Sequence, residues 1–270
     1  MLADVPFFPQ EDYECGPASL AMLLQAAGVH ATPEELVPQV YLPGRKGSLQ
    51  LEMMVATRRQ GLPAYRLEPT LQAVLREVAA GHPVLVFQNL SLPVYPIWHY
   101  AVVIGFDRSR SMLTLHSGRT ERLEMTLSVF ERTWARGEHW AMVALPVGQL
   151  PATAQAASFA GAIAALERTS PQTARIAYLS ALQRWPSDLV LMFGAGNTAY
   201  AMGDLNAAAV AYAATVKAHP GAADAWNNLA QVLMEQGRRA EALQAITEAL
   251  AIGGPRQATY QALADKLRAR

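Results

Sequence analysis

Cysteine is nearly absent from this 270-residue chain: Cys15 stands alone. No intrachain disulfide can form, and a Cys-rich metal site is excluded. Charge is also scarce. Charged residues make up 16% against 51% hydrophobic, and 22 basic residues balance 22 acidic ones. A disordered chain would show the opposite composition. Without an excess of Lys and Arg to neutralise phosphates, nucleic acid is not the expected ligand. No apolar run reaches the ~20 residues that span a bilayer. Gly-rich phosphate loops and the H-E-x-x-H metal motif are missing too, so no cofactor or metal is expected. The opening Met1-Leu2-Ala3-Asp4 lacks the basic and apolar regions of a secretory leader, which leaves a cytoplasmic chain or one whose leader has been removed.

What is present falls into two halves. Residues 1–147 mix helical and strand patterns. Helices are expected over Gly16–Ala27, after the Thr32-Pro33-Glu34-Glu35 capping box, from a Ser48 cap to Gln60, and from a Thr70 cap to Ala80. Strands follow at Pro83–Gln88, His99–Phe106, Met112–His116, Arg122–Met125 and Trp140–Leu145. Helices followed by an antiparallel sheet make an α+β domain. A linker is expected over 148–154.

Residues 155–270 are Ala-rich, helical and periodic. Ala174, Ala208 and Ala242 are 34 residues apart, as are Tyr178, Tyr212 and Ile246, and Ala162, Gly196 and Ala230. This period, with small residues where helices touch, is the tetratricopeptide signature. Three helix pairs are expected, over 155–186, 189–220 and 223–254, then a capping helix over 256–269. Such an all-α domain offers a groove for a protein partner.

Cys15 opens a predicted helix. Free N–H groups and the dipole there favour thiolate and lower a thiol pKa. The same N–H groups suit an oxyanion, and Gln10 supplies an uncharged donor nearby. Standing alone, Cys15 would be read as a small buried hydrophobe. A nucleophile needs a base, and of the six histidines His99 is the one that starts an apolar strand, between Trp98 and Tyr100. Trp98, Tyr100 and Phe106 are expected to pack the sheet, with Trp98 also able to shield His99. Arg58-Arg59 and Arg238-Arg239 are read as solvated pairs.

The segments Gln10, Asp12-Tyr13-Glu14-Cys15-Gly16-Pro17-Ala18-Ser19-Leu20, Gly81–Val86 and Trp98–Asp107 occur in order. Together they resemble the bacteriocin-leader-processing (double-glycine) cysteine peptidases, which are papain-like. That resemblance implies a thiol protease with Cys15 as nucleophile, His99 as general base and Gln10 as oxyanion donor, cleaving after a small pair such as Gly-Gly. It also extends to bacterial chains in which this domain precedes tetratricopeptide repeats. Relatives of that layout often carry a lipoprotein-type leader, implying export to the periplasm. The family's Asp, which orients the histidine through Nδ1, has no counterpart in Leu115-His116-Ser117-Gly118. Asp107 lies in the turn and is a poor substitute. A hairpin with Phe106 opposite Ser111 would place His116 on the face of His99, and one residue of slip would place Ser117 there. The alternative reading of His116 is an ordinary polar residue at a strand end. With neither supplying a negative charge, the expectation is a weak enzyme, with a non-catalytic peptide-binding scaffold as the alternative.

Overall fold

The computed structural model describes residues 1–10, 15–45 and 47–269. The chain divides into two compact units, Met1–Ala162 and Ile163–Arg270, a later division than the expected boundary at 147.

The first unit is α+β. Helix α1 runs over Cys15–Ala26, with Pro17 in its first turn where a missing N–H costs nothing. Helix α2, Pro33–Val40, carries the complete Thr32–Glu35 capping box. Strands β1 (Tyr41–Leu42) and β2 (Gly47–Ser48) form a small hairpin. Helix α3 (Gln50–Arg59) starts after Leu49 with no side-chain cap. Ser48 therefore does not cap it, because pairing with Tyr41 commits Ser48 to β2. Next come β3 (Tyr65–Arg66) and α4 (Leu71–Ala79), the latter capped by Thr70. Strands β4 (Val84–Asn89), β5 (Trp98–Asp107), β6 (Met112–Ser117) and β7 (Thr120–Thr126) follow. Helix α5 (Leu127–Ala135), capped by Thr126, is additional to the expected elements; β8 (Ala141–Val143) completes the sheet.

The main sheet is antiparallel with order β3-β8-β4-β5-β6-β7. β5 is central and almost wholly apolar, so it is buried from Tyr100 to Gly105. Leu20, Leu23 and Leu24 of α1 share a core with Tyr100, Val102 and Ile104 of β5. This packing brings the start of α1 to the start of β5.

The expected linker is tied into this unit. Glu77 on α4 is fully buried and accepts from Thr153 N at 2.7 Å, Ala152 N at 3.1 Å and the Thr153 hydroxyl, and pairs with His82 Nδ1 at 2.6 Å. Helix α6 (Ala156–Ala164) begins against the same region, where Phe159 meets Tyr65 edge-on at 5.9 Å. Burial alone would raise the Glu77 pKa. The hydrogen bonds from His82, Thr153 and Ala152 outweigh it and hold the carboxyl below its ordinary value.

The second unit is helical: α7 (Pro171–Arg184), α8 (Leu189–Ala201), α9 (Leu205–Ala218), α10 (Ala223–Glu235), α11 (Arg239–Ile252) and α12 (Gln257–Ala269). The small residues have a steric purpose. A Cβ on Gly194 would lie 2.1 Å from the Tyr178 ring, and one on Gly196 2.5 Å from the Tyr212 ring. Each tyrosine inserts where the preceding or following helix has no side chain. No helix among the described residues is long and apolar enough to cross a membrane.

Two measurements check these packing arguments. Urea unfolding of Gly196→Val should show a loss of about 1–3 kcal/mol from overpacking against Tyr212; an unchanged midpoint would refute the contact. Glu77→Ala should cost about 2–4 kcal/mol, since it strands several buried donors. Because the Glu77 pKa is depressed in the fold, its contribution is present above the unfolded carboxylate value and disappears as pH falls through the folded value. The difference between wild type and Glu77→Ala should therefore shrink in acid.

Candidate active site

Cys15 is half-buried at the first position of α1. Asp12, Tyr13 and Glu14 of its motif lie outside the described residues. The N–H groups at the helix start lower the thiol pKa as expected, but they do not decide its net direction. Burial raises it, and hydrogen bonding from the backbone of Tyr100, Gly16 and Cys15 itself recovers only part of the shift. At neutral pH the resting group is the thiol.

Gln10 is buried and doubly fixed. Its N–H donates to Gly118 O at 3.2 Å, and its Nε2 donates to Ser19 Oγ at 3.2 Å. Ser19, one turn into α1, passes the bond on to Tyr100 O at 3.2 Å. An amide nitrogen has two protons, so one remains after the bond to Ser19. Only the fold reveals Ser19 as the support for Gln10.

His99 sits near the start of β5, opposite Gln88 of β4. Its Nε2 lies 2.9 Å from Ser117 Oγ. With the proton on Nε2 donated to Ser117, the Nδ1 lone pair is left for a thiol proton. The expectation that the orienting contact is made through Nδ1 is thus corrected to Nε2. Burial pushes the His99 pKa down to about 4, so the ring rests neutral.

The hairpin register separates Ser117 from His116. Phe106 faces Leu113, not Ser111, and Asp107 faces Met112. An irregularity between Val103 and Gly105 then shifts the pairing by one, so that Ala101 faces Ser117 and Val102 faces His116. Residues opposite one another share a face, and Ala101 shares its face with His99. Ser117 is therefore on the side of His99, and His116 on the other. The His116 ring is buried, packs on Phe7 at 5.2 Å, meets Val5 O through Nε2 at 3.2 Å and accepts from Arg122 N at 3.3 Å through Nδ1. It is a structural residue here, not a partner of His99. Asp107 is used in its own turn, accepting from Ser109 and Arg110.

Gln10, Cys15 and His99 line one open cleft of about 1080 Å³, together with Phe87, Trp98 and the loop at Gly137–Glu138. Trp98 lies half-exposed at its edge, stacked on Phe87 at 5.2 Å and 11°. Among the described residues no group of three His, Cys, Asp or Glu side chains is placed to hold a metal ion.

An α+β domain that brings a cysteine at a helix start and a histidine on the central strand into one cleft has the architecture of a papain-like peptidase domain. The sequence comparison agrees. The Peptidase_C39 like family model matches residues 2–141, and a tetratricopeptide repeat model matches residues 193–258. The chain belongs to the Peptidase_C39-like family and carries a tetratricopeptide region suited to protein–protein interaction. Among solved structures, a crystal structure of a protein described as a C39-like peptidase, from Bacillus anthracis, aligns with a TM-score of 0.45 and 19% identity over 54% of this chain and 96% of that one. No curated protein matches the chain.

Two variants separate the neighbours on β6. His116→Ala should lower stability by about 1–3 kcal/mol in urea unfolding, because Val5 O and Arg122 N lose a buried partner. Ser117→Ala should cost under about 1 kcal/mol yet shift the imidazole nitrogen resonances of His99, which His116→Ala leaves in place. If instead His116→Ala moves the His99 resonances and Ser117→Ala does not, the assignment of the orienting contact is wrong.

Proposed function

We propose that the chain is a cysteine peptidase whose tetratricopeptide domain recruits a protein partner or substrate. The observation that carries this is the convergence of Cys15, His99 and Gln10 on one cleft, with Ser117 fixing the imidazole. His99 acts as general base, taking the Cys15 proton while the sulfur attacks the peptide carbonyl. The free N–H of Gln10 Nε2 and the backbone N–H groups at the start of α1 receive the oxyanion. His99 then protonates the departing amine, and water releases the acyl group from sulfur. Cleavage after a small pair such as Gly-Gly is the specificity drawn from the family resemblance.

Burial shapes the mechanism. With the thiol raised and the imidazole lowered, the pair starts uncharged and the proton moves only as attack occurs. Ser117 orients the ring but supplies no negative charge for the imidazolium, which favours a slow enzyme. The same lack of a carboxylate favours a second reading, a peptide-binding scaffold without turnover.

Hydrolysis of an acyl-Gly-Gly-aminomethylcoumarin separates the two. Cys15→Ala and His99→Ala should each lower turnover by at least about a hundredfold. The acid limb of the rate should lie near His99's value of about 4, below the ordinary histidine range, since protonation there removes the base. Absent turnover in the wild type, or turnover indifferent to His99→Ala, would favour the scaffold.

A further inference from the structure

Gln88, near the end of β4, is 1% exposed. Its Nε2 donates to Thr133 Oγ1 on α5 at 2.6 Å. Thr133 Oγ1 lies 2.9 Å from Phe130 O and 3.2 Å from Val129 O, so its single proton goes to the helix backbone. Toward Gln88 the hydroxyl can only accept. This fixes the amide with its nitrogen on Thr133 and its oxygen turned away. That oxygen, Oε1, is shielded from solvent and has no hydrogen-bond partner among the described residues. A buried acceptor left idle is costly, and such groups are few in folded proteins.

The strand register indicates which group can use it. Gln88 stands directly opposite His99 across the β4–β5 pair. Residues so paired share a face, with Cβ atoms about 4.5–5.5 Å apart. Ser117 of β6 reaches that face from the other side of β5. A neutral imidazole has one N–H, and Ser117 takes it at 2.9 Å. An imidazolium has two. The resting ring thus has no proton to offer Gln88, whereas a ring that has received the Cys15 proton carries one at Nδ1. The two nitrogens of an imidazole diverge, so with Nε2 on Ser117 the Nδ1 edge is turned away from β6.

Neighbouring elements bring no carboxylate to this place. β4 has no titratable side chain, and in β6 His116 lies on the far face. On α5, Glu131 pairs with His139 at 2.9 Å and Arg132 donates to Ser128 O at 3.1 Å. The other titratable or charged groups lining the cleft are Cys15, Tyr100, Arg45, Arg119, Arg136 and Glu138.

We propose that Gln88 is a positioning residue for His99, its amide oxygen accepting the Nδ1–H of the imidazolium. This rests on the peptidase reading above. The Cys15 proton moves to Nδ1 as the sulfur bonds to the peptide carbonyl carbon. Gln88 steadies that N–H until the proton passes to the departing amine, so no proton is gained or lost overall. The carbonyl dipole offsets part of the charge that the Ser117 hydroxyl does not.

The test compares Gln88→Met and Gln88→Glu with the wild type in the full chain. Methionine keeps the length and removes the acceptor, whereas glutamate keeps an acceptor and adds charge. One readout is kcat and KM on acyl-Gly-Gly-aminomethylcoumarin. The other is the midpoint of His99 protonation, followed through its ring nitrogen resonances. Gln88→Met should lower kcat by about tenfold or more, leave KM within about twofold, and lower the midpoint. Gln88→Glu should raise the midpoint by about one unit or more, and it keeps the test readable if the methionine variant folds poorly. A merely structural amide would change unfolding and leave the midpoint in place. A midpoint equal in all three proteins overturns the proposal, as does an undiminished kcat in Gln88→Met. If the wild type shows no turnover but the midpoint moves in both stated directions, the peptidase reading fails alone and the contact between Gln88 and His99 is supported.

Discussion

The register of β5 against β6 decides what the cleft can be. If the ladder ran from the turn without interruption, Val102 would face Ser117, and the hydroxyl would point away from His99. The irregularity between Val103 and Gly105 absorbs one residue and turns Ser117 onto the face of Ala101 and His99. The same shift commits His116 to the opposite face, where it braces Val5 and Arg122. The amino terminus crosses at this point. Leu2 N donates to Ile104 O at 2.7 Å, and a Cβ on Gly105 would approach Met1 Cα to 3.2 Å. A local break in the strand thus sets the site at one end of β5 and seats the start of the chain near the other.

From β5 the placement spreads to the remaining groups. Tyr100 O holds Ser19, Ser19 holds Gln10, and the Tyr100 backbone also meets the Cys15 sulfur. One strand residue therefore touches both the candidate nucleophile and the support of the candidate oxyanion donor. Its ring, buried between Phe87 and Trp140, leaves that backbone little freedom. The electrostatics follow from the same burial. Desolvation opposes charge on both sulfur and imidazole, so a neutral hydroxyl is a consistent partner for a ring that rests uncharged. A carboxylate would stabilise the imidazolium, but Ser117 fixes the ring's direction without one.

Much of this was legible in the residues because its causes are local. Thr32 and Thr70 cap as their neighbours dictate, and Cys15-Gly16-Pro17 starts a helix where the sequence pattern places it. The 34-residue spacing of small and aromatic residues corresponds to Gly194 and Gly196 making room for Tyr178 and Tyr212. What escaped depends on contacts distant in sequence. Ser48 has the chemistry of a cap, but pairing with Tyr41 drew it into β2. Thr126 caps α5 in the way Thr70 caps α4, but the amphipathic run behind it is short and follows a strand directly. Whether His116 or Ser117 meets His99 turned on one residue of slip, which no strand pattern encodes. The net direction of the Cys15 pKa shift lies beyond the sequence pattern for a similar reason. The helix start is visible in sequence, whereas the burial that outweighs it is a property of the packed domain.

The segment after β8 shows how composition can mislead about a boundary. Residues 148–154 read as a linker because Gly148 and Pro151 punctuate them. Yet this same stretch supplies the donors that a buried carboxylate requires. Glu77 has no exposure, and without Ala152 and Thr153 it would keep only His82. An ionised group so enclosed is tolerable only when its oxygens are satisfied. The peptidase-like unit is therefore incomplete at residue 147. It closes only once the chain has passed Thr153 and set Phe159 against Tyr65, which puts the physical end of the unit within α6.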